Sequence, residues 1–183
     1  MHWQRLDRES SLKIIDSVKS EDIGLFSIEN SEVQRCALAF YKNLFLYKIT
    51  NYASIPSFSF EYLGDGTFFS YLDGAATPIY AANDKGHLLL SETNAMSYLS
   101  FYYERVTTEE SNQGDIVIIH SPHDMPLMDS LDPDAQAAVM RSYNPPMVNT
   151  QDNGHWLVET DIYIESHMVR ASIDITPKGR VHM

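Results

Sequence analysis

Two histidines and an acid fall within five residues at His120-Ser121-Pro122-His123-Asp124. Neutral imidazoles and a carboxylate are suitable ligands for Zn(II) or Fe(II). The run follows Ile116-Val117-Ile118-Ile119, an apolar tetrad that reads as a central strand, and strand ends are where sheets present functional groups. One expectation is therefore a metal-assisted enzyme using His120, His123 and Asp124. Against it, Pro122 imposes an irregular loop, and the remaining ligands would have to come from His155 or His182, far away in the chain. A plain polar loop is the simpler reading.

A second constellation lies near the C-terminus. Residues 155–164 alternate, with Trp156, Val158, Thr160, Ile162 and Ile164 on one side and His155, Leu157, Glu159, Asp161 and Tyr163 on the other. A second run places Val169, Ala171, Ile173 and Ile175 opposite Met168, Arg170, Ser172 and Asp174. Period-two alternation predicts an antiparallel hairpin with one buried face. Glu159, Asp161, Tyr163 and Arg170 then share the polar face. Lining a cavity, they would supply an acid–base pair or ligand contacts; facing water, they are a solvated sheet surface, and solvent is the expectation.

The hairpin has a definite expected register. With Ser166 and His167 in the turn, Ile164 faces Val169, Ile162 faces Ala171, Thr160 faces Ile173 and Val158 faces Ile175. That register also sets Glu159 against Asp174, a repulsive pair. Thr176-Pro177-Lys178-Gly179 predicts a further tight turn, leaving Val181 and Met183 to complete a three-stranded meander.

The elements that position these groups are read as follows. Ser10 or Ser11 caps a short helix with Leu12, Ile15 and Val18 on one stripe, and residues 1–30 form a peripheral helical arm. Ser31-Glu32-Val33-Gln34 has capping-box spacing, predicting a helix with Val33, Ala37, Phe40 and Leu44 on its stripe, passing into a strand over residues 44–50. Residues 57–62 and 67–72 flank Gly64-Asp65-Gly66 and predict a hairpin. Residues 73–87 hold three glycine or proline breakers and are expected to be loop. Residues 92–106 give the clearest helix, with Ser91 as N-cap and Tyr98, Phe101 and Tyr102 on a broad aromatic surface. Core packing is the plain role for that surface; a small-molecule pocket lined by Tyr98, Phe101 and Tyr102, or a subunit contact, is the sharper one. Asp132-Pro133-Asp134 opens a short helix through Val139 and Met140.

Together these parts predict one α+β domain over residues 1–183, with helices packed on one face of a curved, mostly antiparallel sheet that ends in a C-terminal meander. In the order of its elements and its closing meander the chain is similar to cystatin-like and nuclear-transport-factor-like rolls. The resemblance implies an architecture only, since such rolls host enzymes and binding modules alike.

Composition narrows the function classes. The 183 residues carry a net charge of −12. Lys85 is the only basic residue between Ile49 and Glu104, and Arg141 the only one between Val106 and Val169. Such a surface repels phosphate backbones and anionic lipid, so neither nucleic acid nor membrane is an expected partner. Cys36 is the single cysteine, which rules out an internal disulfide and is expected to be a buried thiol. The first residues lack the apolar run of a signal peptide, and the longest uncharged stretch, residues 49–60, is too short to span a bilayer. A cytoplasmic location is expected. No P-loop, dinucleotide fingerprint, Gly-x-Ser-x-Gly elbow or His-Glu-x-x-His motif occurs. The leading expectation is a binding or interaction module that self-associates as a homodimer, with a small molecule as a possible partner and no cofactor indicated.

Overall fold

A computed structural model describes residues 2–18, 25–107 and 116–183. The chain is α+β, with its strands in two antiparallel sheets. It divides into two compact units, residues 1–89 and 90–183, each with its own sheet.

In the first unit, β1 (Trp3–Arg5), β2 (Ser31–Ala37), β3 (Phe45–Asn51), β4 (Phe58–Gly64) and β5 (Phe69–Tyr71) pair in chain order. The helix expected from Ser31 is instead β2, paired with β3 along its whole length. Val33 and Cys36 are both buried, although they lie on opposite faces of the strand. A strand buried on both faces loses its clean alternation, and apolar spacings of three and four then imitate a helix.

Residues 3–18 do not form a peripheral arm. They supply the edge strand β1 and the helix α1 (Arg8–Val18), whose buried residues are Ser11, Ile14, Ile15 and Val18. Leu12, expected on the buried stripe, is exposed. The helix is opened by Asp7 rather than by a serine: its carboxylate accepts the Ser10 N–H at 2.8 Å. α1 lies over Val33, Tyr47, Ile49 and Tyr62 in one core cluster, with Phe45, Phe58, Phe60, Phe69 and Tyr71 packed around it. The tyrosines form part of a lateral row, Gln4–Arg35–Tyr47–Tyr62–Tyr71, running across all five strands.

The breakers in residues 73–87 do not keep that segment a loop. α2 (Thr77–Ala82) forms there with Pro78 in its first turn, where the missing N–H costs nothing, and packs on β4 and β5. A wider helical turn, Asn83–His87, follows and ends through Gly86 at φ 82°.

The β4–β5 hairpin forms as expected, and Asp65 organises its turn. One carboxylate oxygen accepts the Thr67 N–H (2.8 Å), the Phe68 N–H (2.9 Å) and the Thr67 hydroxyl (2.9 Å). The Phe68 and Thr67 amides hold its pKa down to about 2. A depressed carboxylate pKa stabilises the fold above the unfolded value near 4 and loses that contribution as pH falls toward 2. Asp65→Ala is therefore expected to cost about 1 kcal/mol at neutral pH, with the difference from the parent chain vanishing between about pH 4 and pH 2. Urea unfolding of both proteins across that range reads it; a pH-independent difference would refute it.

In the second unit β8 (Trp156–Ile164) is central. β9 (His167–Ile175) covers one edge, and β10 (Val181–His182) continues the meander. The other edge of β8 is shared end to end by β7 (Met147–Thr150) and β6 (Val117–Ile119). β6, expected to be a central strand, is thus a three-residue edge segment. α4 (Pro133–Ser142) begins as expected, with Asp132 accepting the Ala135 N–H. α3 (Ala95–Tyr103) starts three residues later than the 92–106 reading, because Ser91 opens a preceding turn in which Asn94 accepts the Ser91 N–H. α3 packs on β6 and β8.

The closing hairpin keeps its expected face but not its expected partners. The turn is Glu165–Ser166, with φ 48° and 69°, so Ile162 faces Val169, Thr160 faces Ala171 and Val158 faces Ile173. Two consecutive left-handed residues make the two-residue turn that best matches strand twist, even without glycine. The two-residue shift leaves every side chain on the same face. It exchanges the repulsive Glu159–Asp174 pair for Glu159–Ser172 and brings Asp161 opposite Arg170.

Candidate functional site

The polar face of the closing hairpin is exposed at Arg170 and Ser172 and covered at Asp161. Asp161 is 2% exposed. Its carboxylate accepts the Asn144 N–H at 2.8 Å and Arg170 Nη1 at 3.2 Å. Arg170 also donates to the carbonyls of Asn144 (2.8 Å) and Pro145 (3.2 Å). Tyr143 donates to the His120 carbonyl at 2.5 Å. Burial first, then the Asp161 and Asp124 carboxylates, push the Tyr143 hydroxyl above the usual phenol range, so it stays a donor. The segment leaving α4 is thereby fastened over the sheet. Asp161 and Arg170 are used as a clamp on backbone, and the acid–base role considered for Asp161 has no open approach here.

The remaining groups on this face are also engaged or separated. His155 Nδ1 pairs with Asp174 at 2.8 Å. Tyr163 is half-buried and sits opposite Met168, while Glu159 sits opposite Ser172.

The histidine loop does not assemble a metal centre. Residues Pro122–Asp124 form a short 3-10 turn in which the Asp124 carboxylate accepts the Ser121 N–H at 2.8 Å. His120 Nε2 lies 2.9 Å from the Ser100 hydroxyl. Among the described residues no three of His, Cys, Asp and Glu are grouped so as to hold a metal ion. His120 turns to Ser100 and Asp124 to the Ser121 amide, so neighbours in sequence do not become one ligand set.

Tyr98 and Phe101 are fully buried and Tyr102 nearly so. The Tyr98 hydroxyl donates to the Gly179 carbonyl at 2.6 Å, tying α3 to the turn between β9 and β10. These aromatics are core, not pocket wall. A groove of about 310 Å³ does lie between α3 and β6, but Ser100, Tyr103, Ile116, Ile118 and His120 line it instead. The Ser100–His120 pair on its rim resembles a nucleophile and base only superficially. Ser100 sits mid-helix, its hydroxyl lies 3.0 Å from the Met96 carbonyl, and the neighbouring helix amides bond within the helix.

One feature escaped the sequence altogether, the outer edge of β9. β10 pairs only with Asp174 and Ile175. Among the described residues nothing pairs with the outer side of residues 167–173. The Ile164–His167 pair closing the turn fixes the hydrogen-bond alternation: odd-numbered residues of β9 bond to β8, and Met168, Arg170 and Ser172 direct their N–H and C=O outward. Val169 is exposed on the apolar face at this edge. Alternation reports which face of a strand is buried, not which edge is paired, so no residue pattern announced it.

No helix among the described residues is long and apolar enough to cross a membrane. No protein-family model, curated protein or solved structure matches the chain.

Proposed function

We propose that this protein is a non-enzymatic interaction module that self-associates through the outer edge of β9. The open edge is the observation that carries the reading: three outward N–H and C=O pairs on a nine-residue strand form a template for another strand. The occupant is a second copy, paired antiparallel about a two-fold axis through Ala171. Directly opposed residues must share a face, which restricts the axis to a residue position. An axis through Arg170 would oppose two guanidinium groups. One through Ser172 would leave only residues 171–173 clear of Asp174 and Ile175, which β10 holds, against residues 169–173 for an axis through Ala171. An axis through Ala171 sets Arg170 against Ser172 and Val169 against Ile173 of the second copy, with no like charges opposed.

The inward use of the other polar groups agrees with a binding role, as do the high negative charge, which disfavours nucleic acid and anionic membranes as partners, and the buried Cys36 thiol, which suits a reducing cytoplasm. The groove beside α3 is the place a small-molecule ligand would use in the alternative reading.

Sedimentation velocity across a concentration series tests the proposal. The parent chain is expected to form a dimer. Ser172→Arg, which opposes Arg170 with a second cation, and Ser172→Pro, which removes an outward N–H that β8 does not use, are each expected to weaken it by about tenfold or more. A chain that stays monomeric, or a dimer untouched by both substitutions, would refute it.

A further inference from the structure

The first unit holds a second recognition feature, unrelated to the β9 edge. A pocket of about 320 Å³ opens between the first turn of α1 and the sheet, walled by Gln4, Asp7, Ser10, Lys13, Arg35 and Tyr47 among others. Arg35 stands in the lateral row between Gln4 and Tyr47. Its guanidinium lies 4.6 Å from the centre of the Phe45 ring, which fixes its plane and leaves its edge free to donate.

Every other ionic group at this pocket has a local partner. Arg5 pairs with Glu32 at 3.0 Å and Lys13 with Glu9 at 2.7 Å. Asp7 spends its oxygens on the Ser10 N–H and hydroxyl, at 2.8 and 3.0 Å. For Arg35 the described residues provide no carboxylate: beyond the Phe45 ring its partners are the Gln4 side-chain oxygen, at a long 3.4 Å, and the Tyr47 hydroxyl. A half-buried guanidinium with donors to spare and no carboxylate partner among the described residues is unusual in a chain of net charge −12.

We infer that Arg35 anchors a binding site for a small molecule bearing an oxyanion group, a carboxylate or a phosphate monoester. The group lies across the guanidinium edge in the two-pronged geometry both anions accept. The Gln4 side-chain amide and the Tyr47 hydroxyl, which burial keeps protonated, face the same space, and Lys13 adds positive potential at the rim. Asp7 at the helix end disfavours a second anionic group there, so the ligand carries its charge at one end. The volume is near the lower limit of ordinary ligand pockets, which sets the ligand's size.

Titration of the full chain with inorganic phosphate and, separately, with acetate, at constant ionic strength and followed by amide NMR, tests the site. The expected result is saturable shifts centred on Ser10 and Gly66, which line the pocket, with millimolar affinity for at least one probe. The probe that saturates tells phosphate from carboxylate. Arg35→Met is expected to weaken binding by about tenfold or more, Arg35→Lys by less because the charge survives without the fork, and Lys42→Met, at an exposed position, not at all. Should Arg35→Met not fold, the exposed Lys13→Gln replaces it, with an expected loss of about threefold. Saturation by neither probe would overturn the site. So would affinity that is unchanged in the Arg35 and Lys13 variants, or that falls equally in Lys42→Met.

Discussion

Asp161→Ala is expected to destabilise the second unit by about 3 kcal/mol, because the substitution strands several groups at once. The carboxylate is the acceptor for the Asn144 N–H and for Arg170. Its removal leaves a backbone donor unsatisfied and a guanidinium without its anion. Breaking a fully buried pair costs about 3–5 kcal/mol; the low end applies because the Arg170 side chain keeps 31% of its exposure and still has two carbonyl acceptors. Asp161→Asn keeps an acceptor and is expected to lose about half as much. Urea unfolding of Asp161→Ala, Arg170→Met and the double variant gives the coupling directly. The double variant is expected to be less destabilised than the sum of the two, since neither lone charge remains. Strict additivity, or an Asp161→Ala loss under about 1 kcal/mol, would show that the clamp contributes little.

Phe101→Ala carries the other large expected effect, about 3–5 kcal/mol. The ring is fully buried, and the Arg105 guanidinium stacks on it with 4.6 Å between its carbon and the ring centre. Truncation opens a cavity under α3 and releases that stack. Tyr103, two residues on, is half-buried and borders the groove, so Tyr103→Ala is expected to cost much less. The contrast separates a core face from a ligand-lining face on one helix. Equal losses at the two positions, read by urea unfolding, would remove the distinction.

The sequence was most legible where one physical rule acted alone. The meander followed from period-two alternation, α4 from Asp132 with a proline behind it, and the β4–β5 hairpin from its glycines. Legibility failed where two rules competed. β2 is buried on both faces, at Val33 and at Cys36, so the strand alternation was lost and the spacing of Val33, Ala37, Phe40 and Leu44 imitated a helical stripe. α2 carries its proline in the first turn, where a breaker becomes a starter. The hairpin register was off by two residues because Glu165 and Ser166 adopt left-handed conformations that glycine or asparagine usually supplies. For the candidate site, alternation put Asp161 and Arg170 on one polar face, but their use as a backbone clamp depends on residues 143–145 crossing the sheet. That is a long-range event with no local signature. His120, His123 and Asp124 showed the opposite failure, since closeness in sequence did not become convergence in space.

β8 has one unbroken neighbour and one interrupted neighbour. β9 runs its full length, whereas β7 ends opposite Trp156–Glu159 and β6 begins opposite Asp161. Each short strand holds only its own few ladder bonds to β8, and the break between them is bridged by the Tyr143 hydroxyl on the His120 carbonyl. The flank is two doors on one frame, bolted to each other by that bond. β7 and the α4 segment form one, latched by Asp161 and Arg170, while α3 packs on β6 and holds the other.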